Sequence, residues 1–254
     1  MKLNTYIPLI CSAMLGITPI AAQESPFDPL GEQTEASLPR QVRVQVEYIE
    51  MPLTQMTALM ADPAASKGDA ALRNKINELV KNGKARIIEN QMVVARSGEK
   101  ATAESIREFI YPTEYEPPEL PTTVKFEKGS EQSVKSKEIS TGPTPTAFET
   151  RNLGSTLEVE PTIGENNAYI DVRVSPEIVY HIKNDIWASW KDKHGEANIM
   201  MPVFYTLRLN TAVTVANGKP CLLGALSPKD DKGVTDMSRK VFVFVRANVI
   251  FPGR

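Results

Sequence analysis

The sequence predicts an α+β protein that is mainly antiparallel β-sheet, with one clear helix early in the chain. Short runs in which apolar and polar residues alternate follow one another after residue 148, separated by Gly, Pro and Asn. Only residues 69–83 show a strong helical periodicity, and the last long run, residues 240–251, is apolar on both faces. These three observations are typical of strands paired through hairpins around one hydrophobic core.

The chain begins with the pattern of a secretory signal peptide. Lys2 precedes a largely apolar run that ends in small residues at Ala22, after which the sequence becomes polar. We therefore expect residues 1–22 to be cleaved as a signal peptide, although a retained membrane anchor is the alternative. Residues 23–39 are then expected to form a flexible N-terminal tail, and residues 40–254 a single β-rich domain.

Charge and cysteine content exclude two classes of protein. The 29 basic and 31 acidic residues nearly cancel, so no charge excess favours nucleic acid. Cleavage of the signal peptide would remove Cys11 and leave Cys221 as the single cysteine. No intramolecular disulfide is then available, and the exported fold must depend on its hydrophobic core.

The first predicted strand is followed by two predicted helices. One face of the strand is apolar and the other polar, formed respectively by Val42, Val44, Val46 and Tyr48 and by Arg43, Gln45 and Glu47. Such alternation indicates a strand buried on one side. A short helix is predicted at 54–61, with Thr54 as its N-cap. A longer helix begins at Asp69 and ends at Gly83.

Residues 84–111 predict two strands separated by a turn at Ser97–Gly98. The second strand has a helical alternative, because residues 101–106 include good helix formers. From 112 to 145 the composition changes to Pro, Glu, Lys, Ser, Thr and Gly. We predict an extended loop or solvated hairpin at 113–147, with disorder as the remaining alternative.

The rest of the sequence predicts strands in close succession. Two strands are expected near residues 156–162 and 168–175, joined through a turn at 164–167. A second pair flanks Asn217–Gly218, a dipeptide expected to place both residues at positive φ in a tight hairpin turn. The final strand, within residues 240–251, is apolar on both faces and should therefore be covered on both sides.

No combination of residues predicts catalysis. His181 and His194 share the stretch 180–201, but the close spacing typical of metal ligands is absent, and we interpret both as solvent-exposed loop histidines. Cys221 lies in an apolar run, where a small buried thiol is the expected structure. The sequence accordingly predicts no catalytic residue, no metal ligand and no cofactor.

Two tryptophans are the candidate partner-contact residues. Trp187 and Trp190 lie three positions apart in the predicted loop 180–201 and are interleaved with charged residues. Aromatic side chains in such a setting are typical of loops that bind another surface. The alternative is that both rings fold back onto the sheet.

Residues 153–226 contain several weak motifs in a distinctive order. The first is an alternating strand formed by Leu153, Gly154, Leu157, Val159, Pro161 and Ile163. The second comprises Ile170, Val172, Val174, Pro176 and Glu177, and the third Thr211, Val213, Val215, Asn217, Gly218, Leu222, Leu223, Gly224 and Leu226. With this order of motifs, residues 41–250 resemble the secretin domain of bacterial type II and III secretion systems and type IV pilus machines.

The resemblance implies secretin-like sheets and a function without catalysis. We expect a component or accessory of a bacterial envelope secretion or type IV pilus apparatus that acts by protein–protein assembly. Expected partners are other envelope secretion or pilus proteins, further copies of this chain and, peripherally, a membrane. The expected location is the periplasm or outer membrane of a Gram-negative-type envelope. The alternative is a free-standing periplasmic or secreted binding module that uses loops 113–147 and 180–201.

Overall fold

The computed structural model describes residues 39–119, 141–192 and 195–251. The predicted signal peptide, the tail up to residue 38, and His194 therefore lie outside the described residues. Within the described ranges, none of the helices has the length and apolar character required to cross a membrane.

Antiparallel strands account for most of the described chain, which confirms the predicted fold class. The strands are β1 (Gln41–Pro52), β2 (Arg86–Arg96), β3 (Ala101–Glu116), β4 (Thr144–Ile163), β5 (Tyr169–Ala188), β6 (Lys191–Asp192), β7 (Gly195–Glu196), β8 (Ile199–Arg208), β9 (Thr211–Ala216), β10 (Pro220–Leu226) and β11 (Arg239–Ile250). The helices are α1 (Leu53–Ala61) and α2 (Asp69–Lys81), with short 3-10 turns at Ala65–Lys67 and Glu165–Asn167.

The strands form two main sheets that pack face to face. The helix-covered sheet has the order β10-β11-β1-β2, and the long-stranded sheet has the order β3-β4-β5-β8, with β9 also paired to β5. Val44 and Val243 from the first sheet share one buried cluster with Leu157 and Val172 from the second. Each sheet therefore buries one face against the other, as in a β-sandwich.

The second face of the helix-covered sheet is partly covered by α1 and α2. Phe242 and Phe244 on β11 pack against Leu72 and Ile76 of α2, and all four side chains are buried. On the same strand, the odd-numbered residues from Val241 to Ala247 face the sandwich core. The prediction that the final apolar strand is covered on both sides is thus confirmed for residues 241–245, whereas Arg246 on the outer face is exposed.

The two helices differ in how well their ends were predicted. The α2 helix ends as expected, because Gly83 adopts a φ of 68° and the Lys84 N–H donates to the Leu79 carbonyl at 2.9 Å. The N-cap prediction for α1 is wrong, because the helix begins at Leu53 and has no side-chain cap. The Leu53 N–H instead donates to the Ser238 carbonyl at 2.7 Å. A neighbouring segment therefore accepts the hydrogen bond of the first backbone N–H of the helix.

Strands β2 and β3 confirm the two strands predicted within 84–111, but they lie in different sheets. Residues 101–106 pair with β4 along the ladder from Ala101↔Val159 to Ile106↔Gly154, so the helical alternative is wrong. Gly98, with a φ of 80°, occupies the turn, and its N–H donates to the Pro161 carbonyl at 2.7 Å. The turn therefore carries the chain from one sheet to the other.

The predicted pair of strands at 156–162 and 168–175 forms the inner part of β4 and β5. Their antiparallel ladder joins residues 154–163 to residues 170–179. Both strands are much longer than predicted, with 20 residues each. Asn166 and Asn167 adopt positive φ in the connecting turn. The sequence located this pairing but missed the outer half of each strand.

The turn at Asn217–Gly218 differs from the prediction in two respects. Only Gly218 has a positive φ, 75°, which fits the third position of a type II turn. Strand β9 pairs with β5 and strand β10 with β11, so the turn crosses between sheets and does not close a hairpin. The Asn217 side chain connects the sheets, since its amide donates to the Asn167 carbonyl at 3.0 Å and its oxygen accepts from the Val249 N–H at 3.1 Å.

Candidate partner-binding surface

The outer parts of four strands continue beyond the sandwich, and we call them the extension. It comprises residues 107–116 of β3, 144–152 of β4, 181–188 of β5 and 199–206 of β8, together with the described residues between these strands, 117–119, 141–143, 189–192 and 195–198. The ladder between β4 and β5 ends at the Gly154↔Val179 pair, whereas β3 remains paired with β4 and β5 with β8. The extension is therefore two β-hairpins, and the rest of the described chain is termed the body.

The extension corrects the prediction of a loop at 180–201, whereas the described ends of the segment 113–147 are paired, as in its hairpin alternative. Residues 180–188 belong to β5 and residues 199–201 to β8, so most of the predicted loop 180–201 is paired strand. At the ends of the predicted segment 113–147, Glu114 pairs with Ala147 and Glu116 with Thr144. Residues 120–140 lie outside the described part of the chain. Backbone pairing organises these residues although few of their side chains are buried.

Gly154 lies where the two hairpins separate. It has a φ of 124° within β4, and a Cβ atom at this position would lie 2.1 Å from the Ser105 carbonyl oxygen. Only a residue without a side chain permits this approach. The motif glycine thus has a local structural role at the base of the extension.

Aromatic rings join the two hairpins. Phe109 of β3 stacks on the His181 ring at 4.7 Å and contacts the Phe204 ring of β8 edge-on at 5.8 Å. Tyr111 contacts Phe204 at 5.5 Å. His181 is thus half-buried in a strand, and its prediction as an exposed loop histidine is wrong. The ring Nε2 lies 2.8 Å from Asn184 Oδ1.

Large apolar side chains are exposed on the outer surfaces of the extension. Those with more than half of their surface exposed are Ile110 (65%), Phe148 (57%), Ile186 (58%) and Trp187 (76%). The two candidate tryptophans differ in exposure, because Trp187 is exposed whereas Trp190 is half-buried beside Gly142. Clusters of exposed large apolar residues are typical of binding surfaces. The extension is therefore the candidate partner-binding surface.

A polar crevice of about 470 Å³ lies where the extension leaves the body. The buried Glu50 carboxylate accepts from Arg86 at 2.5 Å and from Arg239 at 2.6 Å. Tyr180 and Tyr205 stack with ring centroids 5.6 Å apart, and burial raises the pKa of both phenols. These phenols stay protonated at neutral pH, and the ion pairs fix the crevice walls.

The remaining candidate groups lack the features of a reactive site. Burial, with a smaller contribution from Asp69, raises the pKa of the Cys221 thiol to about 11. The thiol is therefore protonated at neutral pH and a poor nucleophile. In the part of the chain that the structure describes, no three His, Cys, Asp or Glu side chains are grouped closely enough to hold a metal ion.

The other motif residues serve packing. Leu157 and Val159 are buried in the sandwich core, and Pro161 lies beside them on β4. Gly224 lies on β10, where a Cβ atom would approach the Leu209 side chain to 3.1 Å. The sequence did not identify the aromatic cluster of Phe109, Tyr111, His181 and Phe204. The alternation of Phe109 and Tyr111 was its only local sign.

Comparison with known proteins identifies a family. A family model described as secretin, bacterial type II and III secretion system protein, matches residues 78–237. No curated protein matches the chain significantly.

Solved secretins are among the structures to which this chain is similar. The type II secretion system secretin GspD of Escherichia coli K12 is 13% identical, with a TM-score of 0.39, over 84% of this chain and 50% of that chain. The type II secretin of enteropathogenic E. coli is 14% identical, with a TM-score of 0.41, over 85% of this chain and 70% of that chain. For ExeD of Aeromonas hydrophila the identity is 13% and the TM-score 0.40, over 84% and 49%. The chain thus spans about half the length of the first and third of these proteins.

Proposed function

Because the chain belongs to the secretin family of bacterial type II and III secretion system proteins, we propose that it is a non-catalytic component or accessory of an envelope secretion or type IV pilus apparatus. It acts by protein–protein assembly in the periplasm or at the outer membrane of a Gram-negative-type envelope. The family match over residues 78–237 is the observation that carries this proposal.

The extension supports an assembly role. Its hairpins expose Ile110, Phe148, Ile186 and Trp187, although their backbone is paired. Strand β3 is also the last strand of its sheet, and an edge strand offers backbone groups that another chain can pair with. Exposed apolar residues and an open sheet edge together favour association with another protein of the apparatus.

A second candidate is a free-standing binding module. Trp187 is 76% exposed near the end of the β5–β8 hairpin, as a residue that captures a ligand or surface would be. Such a module would act without secretion or pilus proteins. The two functions therefore differ in which proteins accompany the chain in the cell envelope.

Co-purification with envelope proteins tests the proposal. The full chain carrying an affinity tag is expressed in its native bacterium, crosslinked and purified from the envelope. We expect secretion or pilus proteins to be recovered with it, and an Ile186→Ser/Trp187→Ser variant to recover much less of them. Met60→Ser is the matched control, because Met60 is a 50% exposed apolar residue on α1, which packs on the helix-covered sheet and lies outside the extension.

The outcomes separate the two functions. Loss of the secretion or pilus proteins with the extension variant but not with Met60→Ser supports the assembly role. Recovery of the chain without any such protein contradicts that role and favours the binding module. Equal recovery with all variants would show that the extension is not the contact surface.

A further inference from the structure

The open half of the helix-covered sheet carries a diagonal line of arginines. Helices α1 and α2 cover the half of the outer face that includes Phe242 and Phe244. The uncovered half exposes Arg96 of β2, Arg43 of β1 and Arg246 of β11. We call this half the arginine face.

The strand register places the three arginines at regular intervals. On β1, Gln41 lies opposite Arg96 of β2. Arg43 follows two residues later. Gln45, two residues further along, lies opposite Arg246 of β11. Each arginine is therefore the diagonal neighbour of the next, one strand across and two residues along. Such neighbours lie about 7–8 Å apart, so the guanidinium groups form an oblique track across three strands.

Two of these arginines have no partner within the described part of the chain. Neither Arg43 nor Arg246 forms an ion pair or a side-chain hydrogen bond there, whereas Arg96 lies 3.7 Å from Glu99 in an exposed pair. By contrast, Glu47 on the helix-covered half of the same face is paired with Arg73 of α2 at 2.8 Å. The uncovered half thus presents positive charge that none of the residues described in the structure neutralises.

The composition of the arginine face favours a protein partner. Met92 and Val94 lie beside the track and are 58% and 44% exposed. Arginine and methionine are enriched at protein interfaces and lysine is depleted, and no lysine lies in these rows of the sheet. A membrane-binding face would be expected to carry aromatic anchors and lysine.

We propose that the arginine face binds an extended, acidic segment of a partner protein, with carboxylates at alternate positions. An extended strand advances about 3.3 Å per residue, so alternate carboxylates are about 6.6 Å apart and can follow the arginine track. Each guanidinium can bind a carboxylate through two hydrogen bonds. The residues between the carboxylates would contact Met92 and Val94. This inference deepens the proposed function and rests on it in one respect: it treats the protein as a component of an assembly.

Binding of synthetic peptides to the purified protein tests the proposal. The probe is a fluorescent peptide with three glutamates at alternate positions, separated by valine and threonine. A peptide of the same composition with contiguous glutamates is the spacing control. We expect binding to the alternating peptide to weaken with rising salt. Arg43→Gln and Arg246→Gln should each weaken it about tenfold, since each removes one charge-assisted contact.

Arg107→Gln is the matched protein control, because Arg107 is an exposed strand arginine of the extension that forms no ion pair with another described residue. It should bind the alternating peptide as tightly as the wild type, and circular dichroism should show all variants folded. The proposal is overturned if the alternating peptide does not bind, if it binds no tighter than the contiguous peptide, or if the two arginine variants bind it normally. Arginine-dependent binding to phosphatidylglycerol vesicles, without peptide binding, would also overturn it. None of these results depends on the co-purification experiment, which varies the extension.

Discussion

The body and the extension are built from the same strands but stabilised differently. Within β4, Leu157 is completely buried in the body, whereas Phe148 in the extension is 57% exposed. Apolar burial contributes about 25 cal/mol per Å², so the body holds most of the stabilising free energy. The extension depends on backbone pairing and a small aromatic cluster. A single strand can therefore be structural at one end and available for binding at the other.

The largest expected effect is at the junction of the two regions. Gly154→Val would place Cβ against the Ser105 carbonyl oxygen and impose a φ of 124° on a β-branched residue. We expect a loss of at least about 4 kcal/mol in the free energy of unfolding, measured by urea denaturation. Gly98→Val is the control, because its φ of 80° is also positive but no atom lies within 4 Å of the added Cβ. Equal losses in both variants would show that the close approach at Gly154 does not matter.

A matched pair of truncations compares the regions directly. Leu157→Ala in the body leaves a cavity between the sheets and should cost about 2–5 kcal/mol. Ile110→Ala in the extension removes a side chain that is 65% exposed, and should change stability by less than about 0.5 kcal/mol. Both are measured as shifts of the urea midpoint. Similar shifts would contradict the division into body and extension.

A substitution in the turn that connects the two sheets should destabilise the protein less than a substitution in the core of the body. Gly218→Val is strained at a φ of 75°, and its Cβ would lie 3.0 Å from the movable Asn248 side-chain amide. We expect a loss of about 1–3 kcal/mol in the free energy of unfolding. Gly195→Val, at a φ of 149° with no atom within 4 Å of the added Cβ, is the control in the extension. An unchanged urea midpoint for Gly218→Val would contradict the positive φ of Gly218 in this turn.

A smaller loss of stability is expected from a change in the aromatic cluster. Phe109→Ala removes the ring that stacks on His181, and ring pairs contribute about 0.5–1.5 kcal/mol beyond area burial. Global stability should fall by about 1 kcal/mol. Hydrogen exchange should increase in residues 181–188 and 199–206 but not in β1 or β11. Phe148→Ala, an exposed ring in the same hairpin, should leave exchange unchanged. A uniform increase over the body would contradict independent packing of the hairpins.

Local patterns in the sequence predicted the body better than the extension. The alternation of β1 and the two apolar faces of β11 follow from burial, which is periodic along a strand. In the extension, neighbouring Phe109 and Ile110 are both apolar, one packed on the second hairpin and one exposed. Because both faces of this strand carry apolar residues, the sequence shows no clear period-two alternation of apolar and polar residues. Much of the sequence of the extension was therefore predicted to form loops.

Side-chain interactions between distant segments could not be predicted either. The Asn217–Gly218 dipeptide predicts a hairpin only when its flanking strands pair, but β9 and β10 join different sheets. The arginine track likewise depends on the register of three strands that are far apart in sequence. Arg43 alone indicated only the solvated face of a strand. Fold class is thus accessible from local pattern, whereas site geometry depends on long-range register.

The pairing of β1 with β11 constrains the order in which the chain can fold. Gln41 pairs with Ile250 and Pro52 with Arg239, so the central ladder of the helix-covered sheet joins the two ends of the described chain. Contacts between segments so distant in sequence close slowly. A chain delivered from its N-terminus cannot complete this sheet until residue 250 has emerged. The helix-covered sheet consequently stays incomplete until the end of synthesis, and a chain truncated before β11 would leave both neighbouring strands, β1 and β10, without their shared partner.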